Sequence, residues 1–242
     1  MRARAARAAP RGGRDRLNAP RDGKRLAAWI VVIAAIATLS YGARLFGDDD
    51  GTAPDFLFRW STAIFTYAFD GLVLLLALFT TRGLSLRDAF ALRRPVSWPS
   101  AWRIAGAALV AIYTASFVSE VVIGHGAREQ AVPQFWDPTR VDAFIANAIA
   151  IAVFVPIVEE ALCRGLGFRL LEPYGHPVAI VGSAIAFALA HGAVNDLPWV
   201  LVTGLGLGYL RSRSGSLYPC IGLHAFVNGV AVLASAATAA GG

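Results

Sequence analysis

Seven apolar segments occupy most of the chain after residue 25 and limit the folds open to it. A membrane helix needs ~20 apolar residues to cross ~30 Å of hydrocarbon, and the longer segments reach this length. The two short ones are expected to stop partway or to tilt around a cavity inside a closed bundle. The sequence therefore predicts an all-α fold, a polytopic transmembrane helical bundle of about seven or eight membrane helices. The segments are 26–46, 56–80, 101–123, 141–171, 177–191, 197–210 and 217–237.

The composition agrees with a membrane protein and explains where the positive charge resides. Of 242 residues, 56% are hydrophobic and 16% are charged, whereas a soluble domain is nearer ~25% charged. Residues 1–25 hold nine Lys and Arg residues and two Asp residues, a net charge of +7, so the rest of the chain contributes about −1 to the total of +6. This N-terminal segment is expected to be a disordered, basic cytoplasmic tail that rests against anionic lipid. No nucleic-acid partner is expected, because the charge does not form a face of the folded part.

The placement of Lys and Arg predicts the orientation of the bundle and its parts. The basic N-terminus is expected in the cytoplasm, and the acidic run at 48–50 on the outer side. The chain is thus predicted to be an integral protein of a bacterial-type cytoplasmic membrane. We divide it into the tail at 1–25, N-terminal transmembrane helices at 26–140 and a C-terminal transmembrane core at 141–240. The whole is expected to form one structural domain.

Two adjacent carboxylates near the end of the apolar run 144–158 are the first candidate site residues. Glu159 and Glu160 are costly in apolar surroundings unless they are used or paired. Arg164 lies four residues after Glu160, on the same helical face, and is expected to pair with it. Glu159 is rotated ~100° away and has no counter-ion in the local sequence. The two acids are therefore expected to have different roles, with Glu160 and Arg164 as supporting residues.

Two histidines and an amide lie in later apolar segments. Glu159 and His191 are equally far from Gly175, one before it and one after it. An antiparallel hairpin that turns near Gly175 would bring these two side chains to the same depth, because each helix rises ~1.5 Å per residue. His224 and Asn228 are four residues apart and can project toward one point.

This combination of groups suits the attack of water on an amide bond. Glu159 would accept the proton of a water molecule, and His191 would hold that water or help to move the proton. His224 and Asn228 would donate hydrogen bonds to the oxyanion of the tetrahedral intermediate. No Ser, Thr or Cys has an obvious base partner in the sequence, so a covalent nucleophile is not expected.

Two other function classes remain open at this point. Glu159, His191 and His224 could form a His₂Glu metal site, although no H-E-x-x-H motif is present. The buried carboxylates could instead serve a non-catalytic scaffold or immunity protein, or the proton relay of a transporter.

Other features carry no catalytic prediction. The segment 84–94 could be a short amphipathic interfacial helix or a plain basic loop. The two cysteines are expected to be buried small hydrophobes, and the polar residues in or near the spans to be interfacial or inter-helix partners. These residues are Cys163, Cys220, Arg59, Asp70, Glu120 and Asn147.

Three short motifs resemble those of a known family. Glu159-Glu160-Ala-Leu-Cys-Arg164 matches E-E-x-x-x-R, Phe187-Ala-Leu-Ala-His191 matches F-x-x-x-H, and His224-Ala-Phe-Val-Asn228 matches H-x-x-x-N. In this order they resemble the motifs of the CPBP family, the CAAX proteases and bacteriocin-processing enzymes, also called Abi. The similar region covers about 141–237, whereas the first 140 residues add only compatible hydropathy.

The resemblance implies a glutamate-dependent intramembrane endopeptidase with an all-helical core. It implies that Glu159 activates water with His191, that His224 and Asn228 form the oxyanion hole, and that Glu160 and Arg164 support them. No metal or other cofactor is expected. The implied partners are the lipid bilayer and a membrane protein or lipidated peptide substrate, including prenylated CAAX-type substrates. The sequence specifies neither the substrate nor an oligomeric state.

Overall fold

The computed structural model describes residues 19–46, 55–123 and 136–240, whose regular elements are all helices, with no strand. The all-α bundle predicted from the sequence is confirmed. The regular helices outside the segment 141–174 are α1 (Ala19–Phe46), α2 (Trp60–Thr80), α3 (Leu86–Ala89), α4 (Trp98–Ile123), α8 (His176–Ala190), α9 (Leu197–Ser214) and α10 (Tyr218–Ala240), and a 3₁₀ turn covers Phe56–Phe58.

Five helical segments of the described chain are long and apolar enough to cross a membrane. Many of their large apolar side chains point outward, as expected where the solvent is lipid rather than water. The shorter α8 and α9 complete seven rods, which agrees with the two short segments predicted from hydropathy. The five long segments are Asp22–Phe46, Trp60–Thr80, Trp98–Val122, Val141–Tyr174 and Tyr218–Ala237.

The long segment that carries the two glutamates is not one regular α-helix. Two π-helical stretches interrupt it, and Glu159 and Glu160 lie in the short α-helical piece between them. Pro156 lacks a backbone N–H, which removes one rung of the α-helical ladder and accounts for the first interruption. The pieces are α5 (Val141–Ile149), a π stretch (Ala150–Phe154), α6 (Val155–Glu160), a second π stretch (Ala161–Gly167), α7 (Phe168–Leu171) and a 3₁₀ turn (Glu172–Tyr174).

Side chains from other helices bind the backbone carbonyls of the π stretches. The indole Nε1 of Trp29 donates to the Leu162 carbonyl at 3.0 Å. The guanidinium Nε of Arg211 donates to the Arg164 carbonyl, also at 3.0 Å. A π stretch changes the i to i+4 pairing, so these contacts satisfy backbone groups that a regular helix would pair internally. They also fix the helix that carries the glutamates to α1 and α9.

The hairpin predicted around Gly175 is present. Gly175 has φ +110°, a conformation that favours glycine, and α8 begins directly after it. α9 then packs against both α8 and α4. Glycines allow this close approach, because a Cβ at Gly204 would lie 3.0 Å from the Cα of Ala184 in α8, and one at Gly206 would lie 3.1 Å from the Cβ of Ala108 in α4.

One local expectation needs correction, and one that the sequence left open can be described. Residues 19–25 were expected to belong to a disordered tail but are helical, with Asp22 and Arg25 paired at 2.8 Å one turn apart. Favourable first-turn residues, including Pro20, let the helix start before the apolar run; the rest of that tail, 1–18, lies outside the described residues. In the segment 84–94 the α-helix extends only over Leu86–Ala89.

Candidate active site

A fully buried ion pair forms the base of the site. Arg164 Nη1 donates to Glu160 Oε1 at 3.0 Å, as the i, i+4 spacing predicts, and neither side chain is exposed. Arg164 Nη2 donates to the carbonyl of Gly204 on α9 at 3.0 Å, and its guanidinium lies 4.2 Å from the ring centre of Phe187. Charges in such a setting persist only when they are paired and hydrogen-bonded. Glu160 and Arg164 therefore form a rigid, low-dielectric support.

His224 lies between the two glutamates. Its Nδ1 is 3.1 Å from Glu160 Oε1, and its Nε2 is 3.6 Å from Glu159 Oε2. Only the first contact is a hydrogen bond by distance. With Glu160 ionised, Nδ1 is the donor, so Glu160 fixes the orientation of the ring and directs Nε2 toward Glu159.

The two adjacent carboxylates differ sharply in exposure. The side chain of Glu159 is 28% exposed, whereas that of Glu160 is completely buried. Glu159 can therefore meet a water molecule or a substrate, and Glu160 cannot. The two carboxylates therefore have different environments, and the roles predicted for them from the sequence stay a prediction.

His191 lies at the end of α8 and is tied to its own helix. Its Nδ1 lies 2.8 Å from the carbonyl of Phe187, which can only accept, so Nδ1 carries the proton. In the neutral ring the lone pair then resides on Nε2. The Phe187 ring contacts both imidazoles, with ring centres 4.4 Å from His191 and 5.6 Å from His224. The aromatic side chain of the F-x-x-x-H motif thus packs against the two histidines and Arg164.

Asn228 lies one turn after His224 on α10 and contacts the first π stretch. Its Nδ2 donates to the carbonyl of Ile151 at 3.0 Å. The second N–H of this amide has no hydrogen bond to any described residue. The contact fixes the amide of Asn228 beside the helix that carries Glu159 and Glu160.

A third carboxylate approaches this region from α2. Ala63, Val73 and Ala77 are buried and define the inner face of that helix, and Asp70 lies on the same face by helical spacing. Asp70 is partly buried, makes no hydrogen bond or ion pair with the described residues, and lies close enough to Glu159 for the two carboxylates to interact electrostatically. The sequence indicated only an inter-helix or interfacial role for Asp70. Its position relative to Glu159 could not be read from hydropathy, because it depends on how α2 packs on α6.

Other predicted polar residues have structural partners. Asn147 is buried and its Nδ2 donates to the carbonyls of Leu57 and Arg59, at 2.9 and 3.0 Å, which anchors the chain before α2. The inter-helix role predicted for it is confirmed. Cys163 and Cys220 are both buried and unbonded to each other, as expected of small hydrophobes.

The geometry of the His₂Glu alternative can be compared with these contacts. Within the described ranges, no three His, Cys, Asp or Glu side chains are arranged so that they could hold one metal ion. His191 and His224 each use Nδ1 on a protein oxygen, and Nε2 of His224 faces Glu159.

Comparison with known proteins bears on the same segment of the chain. The family model of the type II CAAX prenyl endopeptidase Rce1-like proteins matches residues 141–230. This segment belongs to the Rce1-like family. The match starts with the helix that carries both glutamates and ends just after Asn228, and it is consistent with the CPBP resemblance of the three motifs. No curated protein and no solved structure matches the chain.

Over residues 141–230 the match indicates similarity to the CAAX-type proteases, which are hydrolases. Together with the long apolar helices, it identifies an integral membrane protein. The structure brings Glu159, Glu160, Arg164 and His224 into one connected group. His191 joins them through Phe187, and Asn228 lies beside them on the first π stretch.

Proposed function

We propose that this Rce1-like chain is an intramembrane endopeptidase that hydrolyses peptide bonds with a water molecule activated by Glu159. One observation carries the proposal: the partly exposed carboxylate of Glu159 faces an imidazole, His224, that a buried Glu160–Arg164 pair holds in place. A base that can meet water, beside a fixed group able to donate a hydrogen bond, is what amide hydrolysis needs.

The proposed reaction starts with water between Glu159 and the scissile carbonyl. Glu159 accepts a proton as the water oxygen bonds to the carbonyl carbon, and the carbonyl oxygen becomes an oxyanion. When the tetrahedral intermediate collapses, the C–N bond breaks and the leaving nitrogen receives the proton from Glu159. His191, whose Nδ1 donates to Phe187, offers Nε2 to orient the water or to assist this transfer.

The oxyanion is assigned to His224 and Asn228. In its protonated form His224 donates from Nδ1 to Glu160 and from Nε2 toward the reacting atoms. Asn228 uses one amide N–H on the Ile151 carbonyl, which leaves the other to donate to the oxyanion. Donors fixed in this way need little reorganisation during the reaction.

The family similarity and the location of the site both support one substrate class. Glu159 lies within the long apolar segment Val141–Tyr174, which supports a substrate that reaches it from the bilayer. We propose membrane proteins or lipidated peptides as substrates, with prenylated CAAX-type peptides as the first to test. The polar groups described here act on the peptide bond. A requirement for a prenyl group would depend on the apolar surface around the site.

The test compares wild-type protein with Glu159→Gln, which keeps the size of the side chain and removes its basicity. Quantitative proteomics of membrane-protein fragments should show products in the wild-type strain that are absent from the Glu159→Gln strain. Purified protein is then assayed on a prenylated CAAX peptide and on the same peptide without the lipid. Asn228→Ala should reduce turnover by about 10²-fold or more, as loss of an oxyanion donor can.

Three outcomes would contradict the proposal. Full turnover by purified Glu159→Gln protein would exclude this residue as the base. Loss of activity with a chelator, restored by zinc, would favour the His₂Glu alternative. A cellular phenotype that survives Glu159→Gln would instead indicate a non-catalytic role.

A further inference from the structure

A polar cavity of about 320 Å³ lies where several helices end on one side of the bundle. The connection 83–88, which follows α2, forms one wall. Arg169 and Glu172, at the end of the long segment, and Arg211, near the end of α9, form the others, together with Arg93. The cavity is separate from the glutamate site, which lies about two to three helical turns away along the helix axis.

Arg211 is the buried residue of this cavity. It is only 4% exposed, its Nε donates to the Arg164 carbonyl at 3.0 Å, and its guanidinium lies 4.9 Å from the ring centre of Phe168. Its two terminal nitrogens make no hydrogen bond to the described residues. A buried cation with unused donors at the wall of a cavity indicates a site for an anionic group.

The cavity also presents carboxylates, so its ligand must carry more than a negative charge. Asp88 and Glu172 line it beside the three arginines, and neither forms an ion pair with those arginines in the described structure. A simple anion would be repelled by both carboxylates. A ligand that carries a phosphate and a primary ammonium would instead complement both kinds of group.

The position of the cavity points to a lipid as the source of this ligand. It opens at the ends of the membrane spans α2 and Val141–Tyr174, which is the depth of lipid headgroups. Phe79 and Leu86, which flank its wall in sequence, are 61% and 49% exposed and offer apolar surface for acyl chains. Its volume corresponds to about ten water molecules, which is enough for a small headgroup.

We propose that this cavity binds the headgroup of a phosphatidylethanolamine lipid. Arg169 and Arg211 hold the phosphate, and Asp88 and Glu172 accept hydrogen bonds from the ammonium. Basic pockets between membrane helices commonly recognise lipid headgroups, and the two carboxylates make this one selective for an ammonium. Lipid binding at this cavity does not depend on the proposed hydrolysis. A bound lipid would, however, restrict the motion of Arg211 and, through its hydrogen bond, that of the Arg164 backbone.

The experiment uses the full chain, purified in detergent, and measures its apparent Tm and its bound lipid by native mass spectrometry. The probes are phosphatidylethanolamine, phosphatidylglycerol, phosphatidylcholine and inorganic phosphate. Arg169→Gln and Asp88→Asn change the cavity, and Arg87→Gln is the matched control, because Arg87 is exposed on the same connection but does not line the cavity. None of these residues contacts the glutamate site.

Phosphatidylethanolamine should raise the apparent Tm of wild type and of Arg87→Gln more than the other probes do. Arg169→Gln should weaken this binding about tenfold, the effect expected of one charge-assisted hydrogen bond. Asp88→Asn should reduce the preference for phosphatidylethanolamine over phosphatidylglycerol. The proposal is overturned if inorganic phosphate stabilises the protein equally, which would indicate a free-anion site. The proposal is also overturned if all three lipids raise the apparent Tm equally. The same holds if phosphatidylethanolamine stabilises Arg169→Gln as much as Arg87→Gln.

Discussion

A single carboxylate oxygen, Oε1 of Glu160, lies 3.1 Å from Nδ1 of His224 and also accepts the hydrogen bond from Arg164. The second oxygen of Glu160 is buried and has no hydrogen-bond partner among the described residues. Arg164 in turn donates to the Gly204 carbonyl, so a continuous polar connection runs from α9 to α10. The orientation of His224 relative to Glu159 therefore depends on groups that never meet water.

Glu160→Ala should destabilise the protein strongly, because Arg164 would remain buried without its carboxylate. Removal of one partner of a buried ion pair costs about 3–5 kcal/mol. Urea unfolding of the purified protein should show a loss of this size in the free energy of unfolding, and the apparent Tm should fall with it. Activity should fall as well, since His224 loses the acceptor that orients its ring.

The neighbouring substitution Glu159→Gln is the matched control for that experiment. Glu159 is partly exposed and, among the described residues, its one ion-pair contact is with His224 at 3.6 Å, so its replacement should leave the apparent Tm nearly unchanged while it abolishes cleavage. If Glu160→Ala melts at the wild-type temperature, the supporting role of the Glu160–Arg164 pair is wrong.

Acid should weaken a polar cluster just before α5. Hydrogen bonds from Thr139, then from Arg140, lower the pKa of Asp137 from 3.8 to about 2. A carboxyl whose pKa is lower in the folded state stabilises that state above its unfolded pKa, and this stability is lost as the pH falls toward the folded value. Asp137→Asn should therefore lower the apparent Tm at pH 7 and pH 5 by similar amounts. The difference from wild type should shrink between pH 4 and pH 2.

Thr139→Val separates the hydroxyl from the other contacts of Asp137. The Thr139 hydroxyl donates to Asp137 Oδ1 at 2.6 Å, and Arg140 Nε donates to Oδ2 at 2.6 Å. Loss of the hydroxyl should leave part of the pH dependence in place. A Tm difference between wild type and Asp137→Asn that stays constant down to pH 2 would show that Asp137 titrates normally.

The fold could be predicted largely from one-dimensional signals. Apolar length located the spans, because hydrocarbon forces backbone groups into helices whatever the packing. The turn at Gly175 and the Glu160–Arg164 pair also followed from local rules, the first from turn residues and the second from i, i+4 spacing. These features depend on neighbours in the chain and are insensitive to how the helices are rotated about their axes.

The contacts between helices could not be obtained in this way. That His224 bridges both glutamates depends on the rotation of α10 about its axis relative to α6, and spacing alone does not specify it. The π stretches on either side of α6 were also missed. Pro156 was the available signal for the first stretch. The second depends on hydrogen bonds that Trp29 and Arg211 donate to its carbonyls from distant helices.

Trp29→Phe should test one of those hydrogen bonds to a carbonyl of the second π stretch. The indole Nε1 of Trp29 is the donor to the Leu162 carbonyl within the second π stretch, and phenylalanine keeps the ring but not the donor. A buried carbonyl left without its partner costs about 1–3 kcal/mol. Trp102→Phe, on the outer face of α4 where the ring is 61% exposed, is the control and should change the apparent Tm little. Equal apparent Tm values for the two variants would show that the hydrogen bond from Trp29 does not stabilise the protein.

Gly204→Ala should damage both stability and activity, because α8 and α9 approach each other closely at this residue. An alanine Cβ would lie 3.0 Å from the Cα of Ala184, and a backbone atom cannot move aside without shifting the helix. Overpacking of this kind costs about 1–3 kcal/mol. The shift would also displace the Gly204 carbonyl that holds Arg164, so cleavage should fall further than stability alone explains.

The control is Gly222→Ala on α10, where a Cβ would meet nothing within 4 Å and alanine favours the helix by up to about 1 kcal/mol. Measured in parallel, Gly222→Ala should keep full activity and an unchanged or higher apparent Tm. A Gly204→Ala protein with the same two properties would show that close packing of α8 on α9 does not position Arg164.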